Sequence, residues 1–248
     1  MAYQATFRRC ESKYLLTTQQ KAALLQDMQP YMKLDAYGRT TIRNIYYDTP
    51  DYRLIRRSLE KPVYKEKLRI RSYQPVAPND PVFVELKKKY QSIVYKRRLT
   101  VSEKQVMTCF QCGLPLPVQS QIADEIAYFR AYYQTLKPAV FLSYEREAYY
   151  EADGGELRVT FDENILYREQ EFSLGSSIYG TPILPRGQTL MEIKTTGGLP
   201  LWMCRALNRL HIYQTSFSKY GRAYQDILQK SKKQKEYSYV CSCFSGIV

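Results

Sequence analysis

A single histidine, His211, stands among 248 residues, and the six cysteines are scattered. Six cysteines at irregular spacing are too few to staple a chain of this length into a disulfide scaffold. Cys109 and Cys112 form one CxxC and Cys241 and Cys243 lie near the C-terminus, so a zinc framework would have to pair these distant clusters with the lone histidine. Reduced thiols are the expectation. No run approaches the roughly 20 apolar residues that cross a bilayer, and the opening MAYQATFRRC has no apolar signal core. Both absences point to a soluble, cytoplasmic protein. Loops of the GxxxxGKS/T pattern, GxGxxG turns and HRD or DFG segments are missing as well, which leaves P-loop and protein-kinase mechanisms without support.

What the chain does have is positive charge. It carries 37 Lys and Arg against 24 Asp and Glu, a formal net charge of +13. That excess favours phosphate-rich partners: nucleic acid, nucleotide, inorganic phosphate chains or an anionic membrane surface. Tyrosine outnumbers phenylalanine 24 to 9, which suits strands and half-wet walls, and base stacking equally. The length suffices for one large β-rich domain or two small ones.

The charge is patterned. In YKEKLRIRSY, Lys65, Lys67, Arg69 and Arg71 occupy every second position. A strand here has one strongly basic face and one mostly apolar face. The pattern returns: Glu11 with Lys13, Lys87 with Lys89, Arg158 between Leu157 and Val159, and Glu192 with Lys194. Strands are expected at 5–14, 41–48, 62–73, 81–90, a shorter one at 94–99, then 139–150, 156–162 and 189–196. Helices are expected at 18–29, after Pro50 (holding Tyr52 and Leu54), and at 102–113, 118–134, 201–211 and 216–230. Asp153-Gly154-Gly155 marks a hairpin turn, and 163–187 reads as irregular apart from a strand near 165–169. Residues 1–232 read as one domain and 233–248 as a short tail. That tail, SYVCSCFSGIV beyond KSKKQK, reads as a poorly ordered end, with a weak contact to an anionic membrane as the alternative.

A sheet with ionised groups on one face either closes around a polar tunnel or leaves a solvated surface, and alternation does not separate the two. An inward row of Lys and Arg repels itself unless anions lie opposite. Arginine supplies bidentate forks and lysine point charges. The expected anion-binding groups are Lys65, Lys67, Arg69 and Arg71, joined by Lys87, Arg98, Arg146 and Arg158 from other segments; Lys219, near the start of the last helix, reads equally as a surface lysine. A carboxylate in such a basin fits when a divalent cation stands between it and phosphate, which makes Glu192 and Glu11 the candidate metal ligands; simple pairing with neighbouring lysines is the plainer reading. His211 ends an amphipathic helix and fits packing better than catalysis.

The ordered set RRCESKYLL, IRNIYYDTPDYRLI, KEKLRIRSY, VFVELKKK, LSYERE, LRVTFDENI, LMEIKTT and SKYGRAY resembles the VTC domain, the polyphosphate polymerase domain of the vacuolar transporter chaperone complex, within the triphosphate tunnel metalloenzyme (CYTH) superfamily. The resemblance spans about residues 6–225. It implies an α+β fold: an antiparallel β-barrel tunnel with a polar, basic interior and helices packed outside. It also implies metal-dependent transfer of the γ-phosphoryl group of ATP to a growing polyphosphate chain, with Mn2+ or Mg2+. By motif, Lys13 contacts phosphate, Arg69 and Arg71 hold donor phosphates and Lys87 neutralises developing charge. Arg146 and Arg158 complete the wall, Glu192 holds the metal and Lys219 closes the basin; Arg98 and Lys194 are additions. The alternatives are a triphosphatase of the same fold and a non-catalytic binding module for polyphosphate or RNA. A tunnel narrower than a base excludes nucleic acid. Hydrolytic relatives begin with a fuller ExExK signature, of which Arg9-Cys10-Glu11-Ser12-Lys13 keeps the last carboxylate and the lysine, so polymerase is favoured. No phosphate-sensing or transmembrane module accompanies the domain, so coupling to translocation is not expected.

Overall fold

A computed structural model describes the backbone of residues 10–91 and 93–244 and the side chains of 11–91 and 93–232. The first strand, β1 (Cys10–Thr17), runs into α1 (Thr18–Met28) through a reciprocal cap: the Thr17 hydroxyl accepts from the Gln20 N–H, and the Gln20 side chain accepts from the Thr17 N–H. The part of that strand expected at residues 5–9 lies outside the described residues. A short β2 (Met32–Leu34) precedes β3 (Thr40–Asp48). Asp48 then starts α2 (Arg53–Leu59), its carboxylate accepting from the N–H groups of Thr49, Leu54 and Ile55. Tyr52, expected inside that helix, sits just before it in the left-handed region at φ 58°.

Three long strands follow: β4 (Tyr64–Ser72), β5 (Pro81–Tyr90) and β6 (Ile93–Ser102). β6 is as long as β5, not the shorter strand expected, because its partner's register runs unbroken from Pro81↔Ser102 to Tyr90↔Ile93. Ser102 and Ser120 cap α3 (Glu103–Gln111) and α4 (Gln121–Tyr133). After β7 (Lys137–Glu151), the Asp153–Gly155 turn leads to β8 (Arg158–Arg168). β8 joins the strand expected at 156–162 to the one expected near 165–169: a register shift between Ser143 and Glu145 lets the same strand keep pairing with β7 as far as Phe141↔Arg168. The chain ends with β9 (Thr181–Pro182), β10 (Gln188–Thr195), α5 (Leu201–Arg209), β11 (Gln214–Thr215) and α6 (Lys219–Phe244). His211 lies beyond α5, exposed and at φ 52°. α6 passes through residue 232 without a break, so no backbone boundary falls where the tail was expected to begin, and residues 245–248 lie outside the described part.

All strands join one antiparallel sheet in the order β11-β1-β10-β8-β7-β3-β4-β5-β6, with β2 added on β7 and β9 on β8. Among the described residues β6 and β11 do not pair, so the sheet is not the closed barrel expected. It curls into a trough instead. Glu11 on β1 and Lys87 on β5, far apart in strand order, meet at 3.9 Å across its hollow.

Apolar and ionic faces separate by strand parity. On the convex side, Leu68, Val84 and Ile45 pack with Val106 of α3 and Ile126 and Phe129 of α4. A second convex cluster joins Leu16, Phe161 and Met191 to Leu24 of α1 and Met203 and Leu207 of α5. Fully burying each such side chain contributes roughly 1.5–3 kcal/mol. The third cluster corrects the expectation that helices lie outside. Tyr220, Ala223, Tyr224 and Ile227 of α6 pack on Tyr46, Val140, Leu142 and Tyr144, which belong to the concave face. Their i, i+3, i+4, i+7 spacing gives α6 the apolar stripe that plugs part of the trough. Gly221 permits the close approach of α6 to α2, since a Cβ there would fall 2.9 Å from Leu59 Cδ2.

Candidate active site

The rest of the concave face is ionic, and cations from β1, β4, β5, β6, β7, β10 and α6 converge on it around buried carboxylates. One centre is built by β8 and β10. Asp162, fully buried, takes both Nε and Nη2 of Arg146, at 2.5 and 2.6 Å, and Lys219 Nζ at 2.5 Å. Glu192 lies beside it, 7% exposed. Its Oε1 receives Lys219 at 3.1 Å and faces Lys13 at 3.7 Å, while its Oε2 faces Arg146 at 3.6 Å and Lys194 at 3.7 Å. Burial pushes the Glu192 pKa up, but Lys219, Lys13 and Arg146 outweigh it and hold the group well below the usual carboxylate range. The same carboxylates raise the Lys219 pKa against its own desolvation.

A second centre forms around Glu85 on β5, 1% exposed. Arg69 donates from Nε at 2.8 Å and Arg98 from Nε at 2.8 Å, with Lys96 at 2.8 Å. Arg69 also donates to the Tyr46 hydroxyl, and Arg71 to Asn44 Oδ1 and the Tyr144 hydroxyl. Arg69 is thus engaged through all three nitrogens and Arg71 through Nε and Nη2, so both contribute oriented positive charge.

Between the centres runs a lysine strip. Lys65 opposes Lys89 and Lys67 opposes Lys87 in the β4–β5 register, like-charge pairs that disfavour the empty face. Among the described residues Lys67 has one hydrogen-bond partner, the Ser218 hydroxyl at 3.2 Å. Burial, with Lys13, Lys87, Lys65 and Arg69 around it, lowers its pKa to about 7. Burial lowers Lys87 as well, with Glu11 opposing it and Arg69, Lys13 and Lys194 adding to it. Lys13 donates to the Phe217 carbonyl at 3.0 Å and lies 3.4 Å from Glu11.

The structure therefore brings Glu11, Lys13, Arg69, Arg71, Lys87, Arg146, Glu192, Lys194 and Lys219 to one hollow. Arg98 reaches it from β6 through Glu85. Arg158 shares the face, opposite Lys194, but is exposed at the rim. Sequence reasoning missed Glu85, Asp162 and Lys96 and gave Lys67 no separate role. Parity was the available signal: Glu85 stands two residues from Lys87, and Asp162 four from Arg158.

For a divalent cation the donor set is sparse. Among the described residues no group of three His, Cys, Asp or Glu side chains could hold a metal. Glu192 Oε2 nevertheless accepts no hydrogen bond, its nearest cations standing at 3.6 and 3.7 Å. One carboxylate oxygen plus phosphate oxygens is the donor set that magnesium-like ions accept, so the residues fit a metal that arrives with a phosphorylated substrate.

Solved structures similar to this one include two that cover most of the chain. A candidate adenylate cyclase from Bacillus halodurans superposes with a TM-score of 0.52 at 16% identity, covering 84% of this chain and 92% of that one. A candidate adenylyl cyclase from Hippeastrum, described as having a dominant triphosphatase activity, superposes with a TM-score of 0.51 at 16% identity, covering 85% and 92%. At that identity the likeness establishes a shared fold. No curated protein sequence matches the chain significantly, and among the described residues no helix is long and apolar enough to cross a membrane. A family model for the VTC domain matches residues 8–228, nearly the whole chain, and the protein belongs to that family.

Proposed function

We propose that this hollow transfers the γ-phosphoryl group of ATP to inorganic phosphate or a growing polyphosphate chain. The observation behind this reading is the imbalance of the concave face: Lys13, Lys67, Lys87 and Lys194 crowd together, with Glu11 beside Lys13 and Lys87, Glu192 beside Lys13 and Lys194, and Lys67 among Lys13, Lys87, Lys65 and Arg69. A row of linked phosphates relieves that repulsion as no single carboxylate can.

The residues divide by commitment. Arg69, Arg71 and Arg146 are fixed by hydrogen bonds and present charge that needs no reorganisation as the phosphoryl group moves. Lys67 and Lys87 have few or distant partners among the described residues and, with Lys13, which the Phe217 carbonyl and Glu11 hold, turn toward phosphate oxygens. Lys219, held between Asp162 and Glu192 and over the Tyr144 ring at 4.7 Å, stands at the floor of the basin. A divalent ion such as Mn2+ or Mg2+, held by Glu192 with Glu11 nearby, would neutralise donor oxygens when bound. The acceptor oxygen is already anionic, so the step needs no general base, and the exposed His211 has no part in it. Positioning and charge stabilisation suffice for phosphoryl transfer.

Incubation with ATP and manganese, with products resolved by gel, tests the proposal. A ladder of chain products with ADP supports it. ADP and orthophosphate released in equal amounts, without chains, leaves the triphosphatase reading, the activity ascribed to the Hippeastrum protein.

A further inference from the structure

The convex face holds a second group of cations that the basin does not use. Arg43 on β3 stands in direct register with Ser72 on β4 and with Ser143 on β7. Neighbours in register have Cβ atoms about 5 Å apart on one face. Arg168 on β8 joins them diagonally, since it opposes Phe141, two residues before Ser143. All four are buried: Arg43 is 6% exposed, Arg168 7%, Ser72 2% and Ser143 0%.

Their polar groups are unequally satisfied. Arg168 donates to the carbonyls of Gln170, Glu171, Ser173 and Tyr179 and to the Ser176 hydroxyl. Those bonds fold the segment 169–180 beside this face. Gly175 there touches the loop after β4: a Cβ on it would fall 2.5 Å from the Val76 carbonyl oxygen. Among the described residues Arg43 makes one bond, 3.5 Å to the Thr41 carbonyl, and its Nε has no partner. The hydroxyls of Ser72 and Ser143 on either side of it have none either. Glu145, opposite Thr41, is engaged by Arg39. Among the described residues no carboxylate lies within ion-pair distance of Arg43 or Arg168. Burial lowers the Arg43 pKa, and the Arg168 charge lowers it further. A buried guanidinium without counter-charge is strongly unfavourable, and orphaned hydroxyls in register with it compound the deficit.

We infer that Arg43, Ser72 and Ser143, in the field of Arg168, form a second oxyanion site on the convex face that takes a single tetrahedral anion such as inorganic phosphate. The guanidinium supplies a fork for two oxygens, the serine hydroxyls donate to the others, and the anion supplies the missing counter-charge. The site is separate from the basin, which lies across the sheet: Asn44, the next residue, turns to the concave face and holds Arg71.

Thermal unfolding of the full chain, in inorganic phosphate against chloride at matched ionic strength, tests the site. Wild type gains about 4 °C at a phosphate concentration ten times the dissociation constant. Arg43→Met loses this phosphate-specific gain and melts no lower than wild type in chloride, because an unpaired buried charge is gone. The double variant Ser72→Ala/Ser143→Ala, a milder change, also reduces the gain and keeps the test valid if Arg43→Met fails to fold. Equal phosphate gains in wild type and the double variant would overturn the site. Phosphate bound in the basin raises all three proteins alike and cancels in the difference. A tripolyphosphate titration reports the basin separately, so failure of the proposed function shows there and leaves this difference intact.

Discussion

The Asp162–Glu192 centre and the Lys65–Lys89 strip line the same hollow with the same kinds of cation, yet they are built on opposite terms. At the centre, each cation meets a buried carboxylate at 2.5 to 3.7 Å. Along the strip, lysines oppose lysines, and Lys67 has a serine hydroxyl as its one hydrogen-bond partner. A balanced cluster holds its own shape in the absence of ligand. An unbalanced one is relieved by an anion. The centre serves as frame, and the strip is the part that the proposed reaction leaves for substrate.

Substitutions separate the two. Asp162→Asn leaves Arg146 and Lys219 buried beside a neutral group, and should destabilise the fold by about 3–5 kcal/mol, read by denaturant unfolding. Equal stability would mean that the centre is not a frame. Glu192→Gln comes next. Turnover should fall on the order of 100-fold or more while polyphosphate binding, followed by calorimetry, persists. Surviving turnover would remove Glu192 from the metal site.

Lys67→Met should act in the opposite sense to Asp162→Asn. It relieves repulsion in the free protein, raising the melting temperature, and weakens tripolyphosphate about 10-fold or more by removing a charged donor. The strip also predicts a pH dependence. Lys67 titrates near 7 when folded, against an ordinary value of 10.5. Between those values the unfolded chain binds more protons, so this residue's contribution makes the free protein more stable as pH rises through that window and less stable below it. A bound anion favours the protonated lysine, so tripolyphosphate affinity should fall as pH rises from 7 to 9, with proton uptake visible by calorimetry in buffers of different ionisation enthalpy. Lys67→Arg should flatten that dependence. The smallest effect belongs to the rim: Arg158→Ala should shift stability by no more than about 0.5 kcal/mol and turnover by about twofold or less.

The sequence showed the faces more clearly than the closure. Strand parity alone assigned Lys13, Arg69, Lys87 and Glu192 to one side, because a period of two leaves no freedom once one face is apolar. Glu85 and Asp162 obey the same parity, but a lone carboxylate among lysines reads equally well as a surface ion pair, and only burial distinguishes them. The place of α6 was illegible for a different reason: its stripe of Tyr220, Ala223, Tyr224 and Ile227 announces a buried face without saying which side of the sheet it covers. The length of β8 was hidden by the register shift at Ser143/Glu145, where the pairing slips by one residue without any glycine or proline to mark it. Arg43 escaped notice because it alternates with apolar residues on the face that carries no charge row.

A crystal structure with a non-hydrolysable ATP analogue and manganese tests the central claim most directly. The triphosphate should lie inside the hollow, its oxygens against Lys13, Lys67, Lys87 and Lys219 and the metal on Glu192 Oε2. Phosphates lying outside the hollow, with Lys67 still bonded to Ser218 alone, would contradict it.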